Sequence, residues 1–380
     1  MLHSGRPPEL MTKRSLVAVS HAIESAALAI AEDGPLVVVA LFQRMPYFER
    51  ERAVYERIAA SGAVTVVGVV GQRPSGLPDG AYGVALEETE DLAREWSVLA
   101  LTPRFGATLV AYDRAEVEPA ATLEAGRLFD GRWGFRRDEA LHEVLRLRDR
   151  LADRLPDAVR ATVDDVLARV RDLPATPGEA RGEAALRLMF SRAERAARDR
   201  WATGSGPGDR GRGAEAGAAE GAAPLLDESG MRRWTGADGI TASGTLPVAL
   251  IGVQVDEPAG APERFGRRSA AREAQAVIGA VTAPLRPVDR AVRLSDHEYL
   301  LFLPALTEEQ AVTVAGQVHE AVGGLVRSYP FVAFAVHAAV TVTARRPLPV
   351  ADVRHAVGWA AREGVPVARL APETAEMPVG

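Results

Sequence analysis

The stretch ATGSGPGDRGRGAEAGAAEGAAP, residues 202–224, constrains this chain more than any other. It is built of Gly and Ala with scattered charge and has no large apolar side chain. Such a segment cannot bury enough surface to offset the entropy of ordering its backbone. The sequence therefore predicts a flexible linker over 202–228, dividing the 380 residues into two parts that must each bury a core of their own. The GDRGRG inside it is short and unrepeated, which favours a linker over an RNA-binding tract.

Before the linker, apolar residues recur at helical spacing from Ser15 to about Asp33, with Ser15 expected as the N-cap. Gly34-Pro35 ends that helix. LVVVALF follows as a buried strand and YFERERAVYERIAA as a second helix. AVTVVGVVG, WSVLALTP and ATLVAYD read as strands, the last two joined by a turn at Arg104-Phe105-Gly106. Helices alternating with doubly apolar strands predict an α/β domain over 10–136. Residues 137–201 hold three one-sided helices, broken at Pro156, and predict a helical connector packing on that domain. A dimerising signal helix is the alternative, although no long heptad run is present.

After the linker, residues 229–380 return to α/β character. The expected order is strand PVALIGVQV, helix 267–283, hairpin 289–303, helix 307–326, strand FVAFAVHAAVTVT, helix 350–363 and strand VPVARL. Hairpins joined by crossover helices imply an antiparallel-rich sheet with packed helices. Two α/β domains are thus the expected fold class.

Composition closes several routes. A net charge of −6 offers no basic field to nucleic acid. The absence of cysteine removes disulfides, zinc–thiolate sites and thiol nucleophiles. Apolar runs such as PLVVVALF are strand-length and too short to cross a membrane. The N-terminal MLHSGRPPELMTKRS lacks the apolar core of a secretion signal, so a cytoplasmic protein is expected.

Within the first domain, Phe42 and Gln43 end a buried strand, where open α/β sheets often bind ligands. Phe48 and Tyr55 share a helix face from which Tyr47 points away by roughly 100°. His21 and Glu24 stand about one helical turn apart, close enough to hydrogen-bond or to sense pH. Core or capping roles are the plainer alternative for all of these. No metal constellation, catalytic triad or phosphate loop is legible in this half.

The hairpin RAVRLSDHEYLLFLP and the order of elements around it resemble a GGDEF domain, the diguanylate cyclase fold, over roughly residues 240–372. The helix ADVRHAVGWAAREG stands where that family's closing helix belongs. Under this resemblance Ser295, Asp296, His297, Glu298 and Tyr299 occupy the five signature positions. Ser295 and Asp296 replace the paired glycines that let backbone N–H groups reach phosphate, and His297 replaces an acidic magnesium ligand. Gln254 falls at the metal-binding Asp, with Asp256 two residues on. Pro262 and Ala271 fall at the guanine-reading positions, and Ala361 and Val365 at the phosphate-binding cations. The resemblance therefore implies a dead catalytic site, no catalytic residue, no metal and no cofactor, and a protein that is not an enzyme.

One family feature is retained. Arg286-Pro287-Val288-Asp289 matches the Arg-x-x-Asp inhibitory site, at the family's distance before the signature, where the product cyclic di-GMP binds. Arg can donate bidentately to phosphate or guanine, and a carboxylate accepts from guanine N–H groups. Charge-assisted bonds contribute roughly 1.5–3 kcal/mol each. Two residues are thus too few for tight binding, and Arg290, Arg293 or a partner subunit would have to help. Ordinary surface charge explains the same four residues.

The segments SLVAVSHAIE, LFQRMPYFERERAVYERIA and LAREWSVLALTPRFGATLVAYDR resemble the DICT domain over about residues 12–135, on Phe42-Gln43, Tyr47-Phe48, Tyr55, Glu95-Trp96 and Pro103–Phe105. DICT is a sensory module attached to diguanylate cyclases and two-component proteins. Three readings stay open: a sensory regulator with an inactive GGDEF domain that binds cyclic di-GMP, an interaction module that binds no nucleotide, and a divergent cyclase using Asp256 and Glu298. A protein partner or a homodimer is expected, and neither nucleic acid nor membrane.

Overall fold

The structure, a computed structural model, describes residues 7–31, 34–174, 178–202, 225–236, 246–256, 261–328, 334–344 and 347–371. Residues 203–224 of the expected linker lie outside them, as do the side chains of 261–271, which include Pro262 and Ala271. The chain divides into two units, Met1–Arg114 with Leu128–Ala219, and Ala115–Arg127 with Glu220–Gly380.

The first unit holds strands β1 (Glu9–Thr12), β2 (Val37–Phe42), β3 (Val64–Val70), β4 (Ala81–Leu86) and β5 (Glu95–Leu101), with β6 (Gly106–Val117) up to Arg114 and β7 (Arg127–Gly134) from Leu128. They are ordered β1-β7-β6-β5-β2-β3-β4. β2, β3 and β4 run parallel, and β5 lies antiparallel to β2.

β2 shows why the sheet is covered on both sides. Val38, Ala40 and Phe42 enter one core with Leu16, Val19 and Ile23 of α1 (Lys13–Ala29) and Phe48, Tyr55 and Ile58 of α2 (Met45–Ala60). Val37, Val39 and Leu41 enter the other with Val144 and Leu147 of α3 (Arg137–Arg150) and Val159, Val163 and Val166 of α4 (Asp157–Arg171). A strand of period two whose positions are all apolar fits only the middle of such a three-layer stack. Along α5 (Glu179–Ala202), Phe190 packs on Trp133 with ring centroids 5.1 Å apart.

The expected N-cap shifts by one turn. Thr12 caps α1, its hydroxyl accepting from the Ser15 backbone N–H at 3.3 Å, while Ser15 is buried inside the first turn. The cause is β1, which delivers Thr12 in extended conformation directly into the helix. ELMT has neither alternation nor an apolar run, so nothing local announces that strand.

The second unit holds β8 (Leu225–Leu226), α6 (Glu228–Thr235), β9 (Val248–Asp256), α7 (Ala261–Thr282), β10 (Arg290–Arg293), β11 (Glu298–Pro304), α8 (Glu308–Gly323), β12 (Ala335–Thr343), α9 (Val350–Glu363) and β13 (Val367–Arg369). The sheet order is β13-β12-β9-β11-β10-β8. β9 pairs antiparallel with β12 and β11, and β11 with β10, while the edge strands β13 and β8 pair parallel. Ile251, Val253 and Val255 of β9 pack against α7 and α8, while Val248 and Leu250 on its other face share a core with Trp234 of α6 and Val353 of α9. Both units are mixed α/β, and the second is antiparallel-rich.

Candidate functional site

The hairpin of the second unit turns through Leu294–His297, where the Leu294 and Ser295 N–H groups both donate to the Glu298 carbonyl at 2.8 and 3.2 Å. Ser295 Oγ accepts from the His297 N–H at 3.2 Å, fixing the tip. Arg293 donates to Asp296 Oδ1 at 2.6 Å. Glu298 is gripped bidentately by Arg354 of α9, at 2.5 and 2.8 Å. Its register partner on β9 is Gln254, whose amide donates to Asp256 Oδ1 at 2.9 Å. Tyr299 is buried in the core. The tip is thus a set of self-matched charges, with Glu298 the acid held at the sheet end.

Arg286 and Asp289 form a closed turn. The Asp289 N–H donates to the Arg286 carbonyl at 2.9 Å. Its buried carboxylate accepts from the Arg286 backbone N–H at 2.7 Å and from Arg286 Nη2 at 2.8 Å. Arg286 Nη2 also donates to the Pro304 carbonyl at 2.7 Å, and its side chain keeps 41% exposure. The expected helpers are committed elsewhere. Arg290 is buried and donates to the Pro287 and Asp289 carbonyls at 2.7 Å, and Arg293 holds Asp296. Any ligand here meets Arg286 from outside, with Asp289 behind it.

The first unit contains an open cleft of about 530 Å³, its mouth included, where β2 ends between α1 and α2. Phe42 and Gln43 come from the strand end, as expected, and Trp96 from β5. Lys13, Ser20 and His21 come from α1, and Tyr47, Arg50 and Glu51 from α2. Gln43 is locked by donating to the Arg94 carbonyl at 3.1 Å. Behind the wall, Phe42, Phe48 and Tyr55 pack with centroids 5.6–6.2 Å apart. Tyr47, which the helical spacing turns away from that cluster, faces the cleft with Lys13 Nζ 4.1 Å above its ring. Trp96 Nε1 is buried and has no hydrogen-bond partner among the described residues.

Beside the cleft, the Glu24 carboxylate is 2% exposed. Its Oε1 accepts from Tyr55 Oη at 2.8 Å and Ser20 Oγ at 3.1 Å, while Oε2 is buried with no partner among the described residues. Burial, with a smaller push from Glu51, raises its pKa, and burial next to Glu24 raises that of Tyr55. His21 bonds not to Glu24 but to Glu51, Nε2 to Oε1 at 3.3 Å. One donor atom each from His21, Glu24 and Glu51 lies within 4.8 Å of the others. His21 and Glu24 are legible as a pair in the sequence, but this grouping is not, because Glu51 comes from another helix. The i, i+3 spacing was the one available signal.

The DICT family model, described as "Sensory domain in DIguanylate Cyclases and Two-component system", matches residues 2–114. Residues 2–114 are a DICT domain. The cleft lies wholly within it, since its lining runs from Lys13 to Trp96. No curated protein matches the chain. Among solved structures, the GGDEF domain of DgcB from Caulobacter crescentus in complex with c-di-GMP is similar at 15% identity and TM-score 0.33, over 38% of this chain and 91% of its own. Diguanylate cyclase SiaD from Pseudomonas aeruginosa, solved with its activator SiaC, is similar at 17% and TM-score 0.34, over 62% and 88%. The active GGEEF domain of a diguanylate cyclase from Vibrio cholerae is similar at 14% and TM-score 0.28, over 34% and 86%.

The expectation of a protein that is not an enzyme is corrected by these neighbours, which are diguanylate cyclase domains, one of them described as active. That expectation rests on the residue types at the family's site positions alone. Such positions tell which usual ligands have been exchanged, not which carboxylates the folded hairpin gathers, and Glu298 and Asp256 flank Gln254 at the same sheet end. Among the described residues no helix is long and apolar enough to cross a membrane.

Proposed function

We propose that the chain is a sensory regulator in cyclic di-GMP signalling, in which the DICT cleft receives a small polar ligand and the GGDEF-like unit carries the response. A cytoplasmic location goes with this reading. The observation that carries it is the cleft, lined by Lys13, His21, Arg50 and Trp96, whose indole N–H is buried and has no acceptor among the described residues. A buried donor left unmade costs about 1–3 kcal/mol, which a ligand oxygen would recover. The DICT description, a sensory domain in diguanylate cyclases and two-component systems, agrees with it.

The test is a thermal-shift screen of the full chain against small carboxylates, phosphates and amides, repeated on Trp96→Phe. At least one compound should raise the melting temperature of the wild type and lose most of that effect in the variant. A panel that shifts neither protein would sink the reading.

For the response, cyclic di-GMP is assigned to the outer edge of Arg286, with Asp289 as its support. Calorimetry should show saturable heat that disappears in Arg286→Ala. A protein partner or a homodimer is the second reading, favoured by Leu186, Leu188 and Met189, apolar side chains exposed on α5. Absence of heat with cyclic di-GMP, together with concentration-dependent sedimentation lost in Met189→Asp, would select the homodimer.

A further inference from the structure

From the placement of His21, Glu24 and Glu51 we infer a binding site for one divalent transition-metal ion, zinc being the simplest case, at the edge of the DICT cleft. The site deepens the cleft reading by naming a cation as part of what the cleft takes.

Two independent observations meet here. The first is the donor set: an imidazole and two carboxylates whose donor atoms lie within 4.8 Å of one another. His21 Nε2 and Glu51 Oε1 are 3.3 Å apart. Two ligands of a tetrahedral zinc with bonds near 2.1 Å are separated by about 3.4 Å, so this pair already has the required spacing. Both side chains are solvent-accessible and can rotate by the few tenths of an ångström that closing on an ion requires.

The second observation is Glu24. A carboxylate that is 2% exposed, with Oε2 sealed from solvent and unpartnered among the described residues, is a costly thing to build into a core. Tyr55 and Ser20 both donate to Oε1 and hold the group in one orientation, leaving Oε2 for a ligand. That is how an outer ring of hydrogen bonds orients a metal-binding carboxylate. In the bound state, with the imidazole neutral and both carboxyls ionised as ligation requires, the ligand set supplies two negative charges that a dication neutralises. One imidazole with carboxylate oxygens suits zinc, manganese, iron(II) or cobalt better than calcium, and water would complete the coordination.

The experiment is a zinc titration by calorimetry of the full chain after chelator treatment, with His21→Ala and Glu51→Gln as variants. Both residues are accessible, so each variant should melt like the metal-free wild type. Glu24→Gln is added as a probe of the buried ligand. The expected result is one ion per chain in the wild type, with affinity at least tenfold weaker in each of the three variants. Cobalt(II) should give a ligand-field spectrum in the wild type that His21→Ala abolishes. No binding, or binding unchanged by His21→Ala and Glu51→Gln, overturns the site and leaves Glu24 as a buried core carboxyl held by Tyr55 and Ser20. If the small-molecule panel still shifts the protein through Trp96, only the cation is lost; if it does not, the cleft reading falls as well.

Discussion

Arg146 ties α3 to the sheet of the first unit, and its removal should be among the most damaging single changes there. Its guanidinium donates to both Glu95 oxygens, at 2.6 and 3.0 Å, and to Glu143 Oε2 at 2.7 Å. Glu95 is 1% exposed and Glu143 4%. Arg146→Ala therefore strands two buried carboxylates, and breaking a buried ion pair from one side costs about 3–5 kcal/mol. Three features pull the value to the lower end. Glu95 keeps the hydroxyls of Tyr112 and Ser97, Glu143 keeps Arg132 at 3.7 Å, and Arg146 is itself 25% exposed. A loss of about 3 kcal/mol, against a total stability of about 5–15, should lower the melting temperature by roughly 6–12 °C for a unit of this size. Urea unfolding measures the loss, and hydrogen exchange on β5 and α3 peptides localises it. Arg146→Ala with Glu95→Gln should recover part of the deficit, because one stranded charge is gone. A loss below about 1 kcal/mol, or a double variant worse than the sum of its parts, would refute the reasoning.

Three further outcomes are expected. Arg154 grips Glu90 at 2.7 Å, and that bond lowers the Glu90 pKa from its ordinary value. A lowered folded-state pKa contributes stability present above the unfolded value of 4.5 and lost as pH falls through the folded one, so Arg154→Met should flatten the acid limb of the melting-temperature profile by no more than about 1 kcal/mol. Gly252→Ala would set a Cβ 2.5 Å from Val357 Cγ2 and 2.9 Å from Val353 Cγ1, forcing α9 off β9 at a cost of about 1–3 kcal/mol in denaturant unfolding; an unchanged midpoint would show that the helix gives freely. Thr307→Ala removes a capping box in which the hydroxyl accepts from the Gln310 N–H and the Gln310 side chain accepts from the Thr307 N–H, and should cost about 1 kcal/mol with faster exchange confined to the first turn of α8.

What the sequence determined by itself was local and periodic. The all-apolar alternation of Val37–Phe42 requires two covering layers whatever supplies them, and the one-sided stripes of α3 and α4 require a surface to lie on. The strand end at Phe42-Gln43 and the outward turn of Tyr47 follow from the same arithmetic, so three of the ten residues that line the cleft could be read before any fold was known. Tertiary structure decided the rest, because the deciding contacts join residues far apart in the chain. β1 exists because it pairs with β7, and that pairing made Thr12 rather than Ser15 the cap. Glu51 stands beside His21 only because α1 and α2 cover the same sheet face. The Arg286–Asp289 motif could be read as a string but not as a state, since whether a carboxylate meets a ligand or its own arginine depends on burial, and here Asp289 is buried against Arg286. Spacing along a chain tells which groups can share a face. Only packing tells which of them are left without water and without a partner, and binding free energy is available at those atoms.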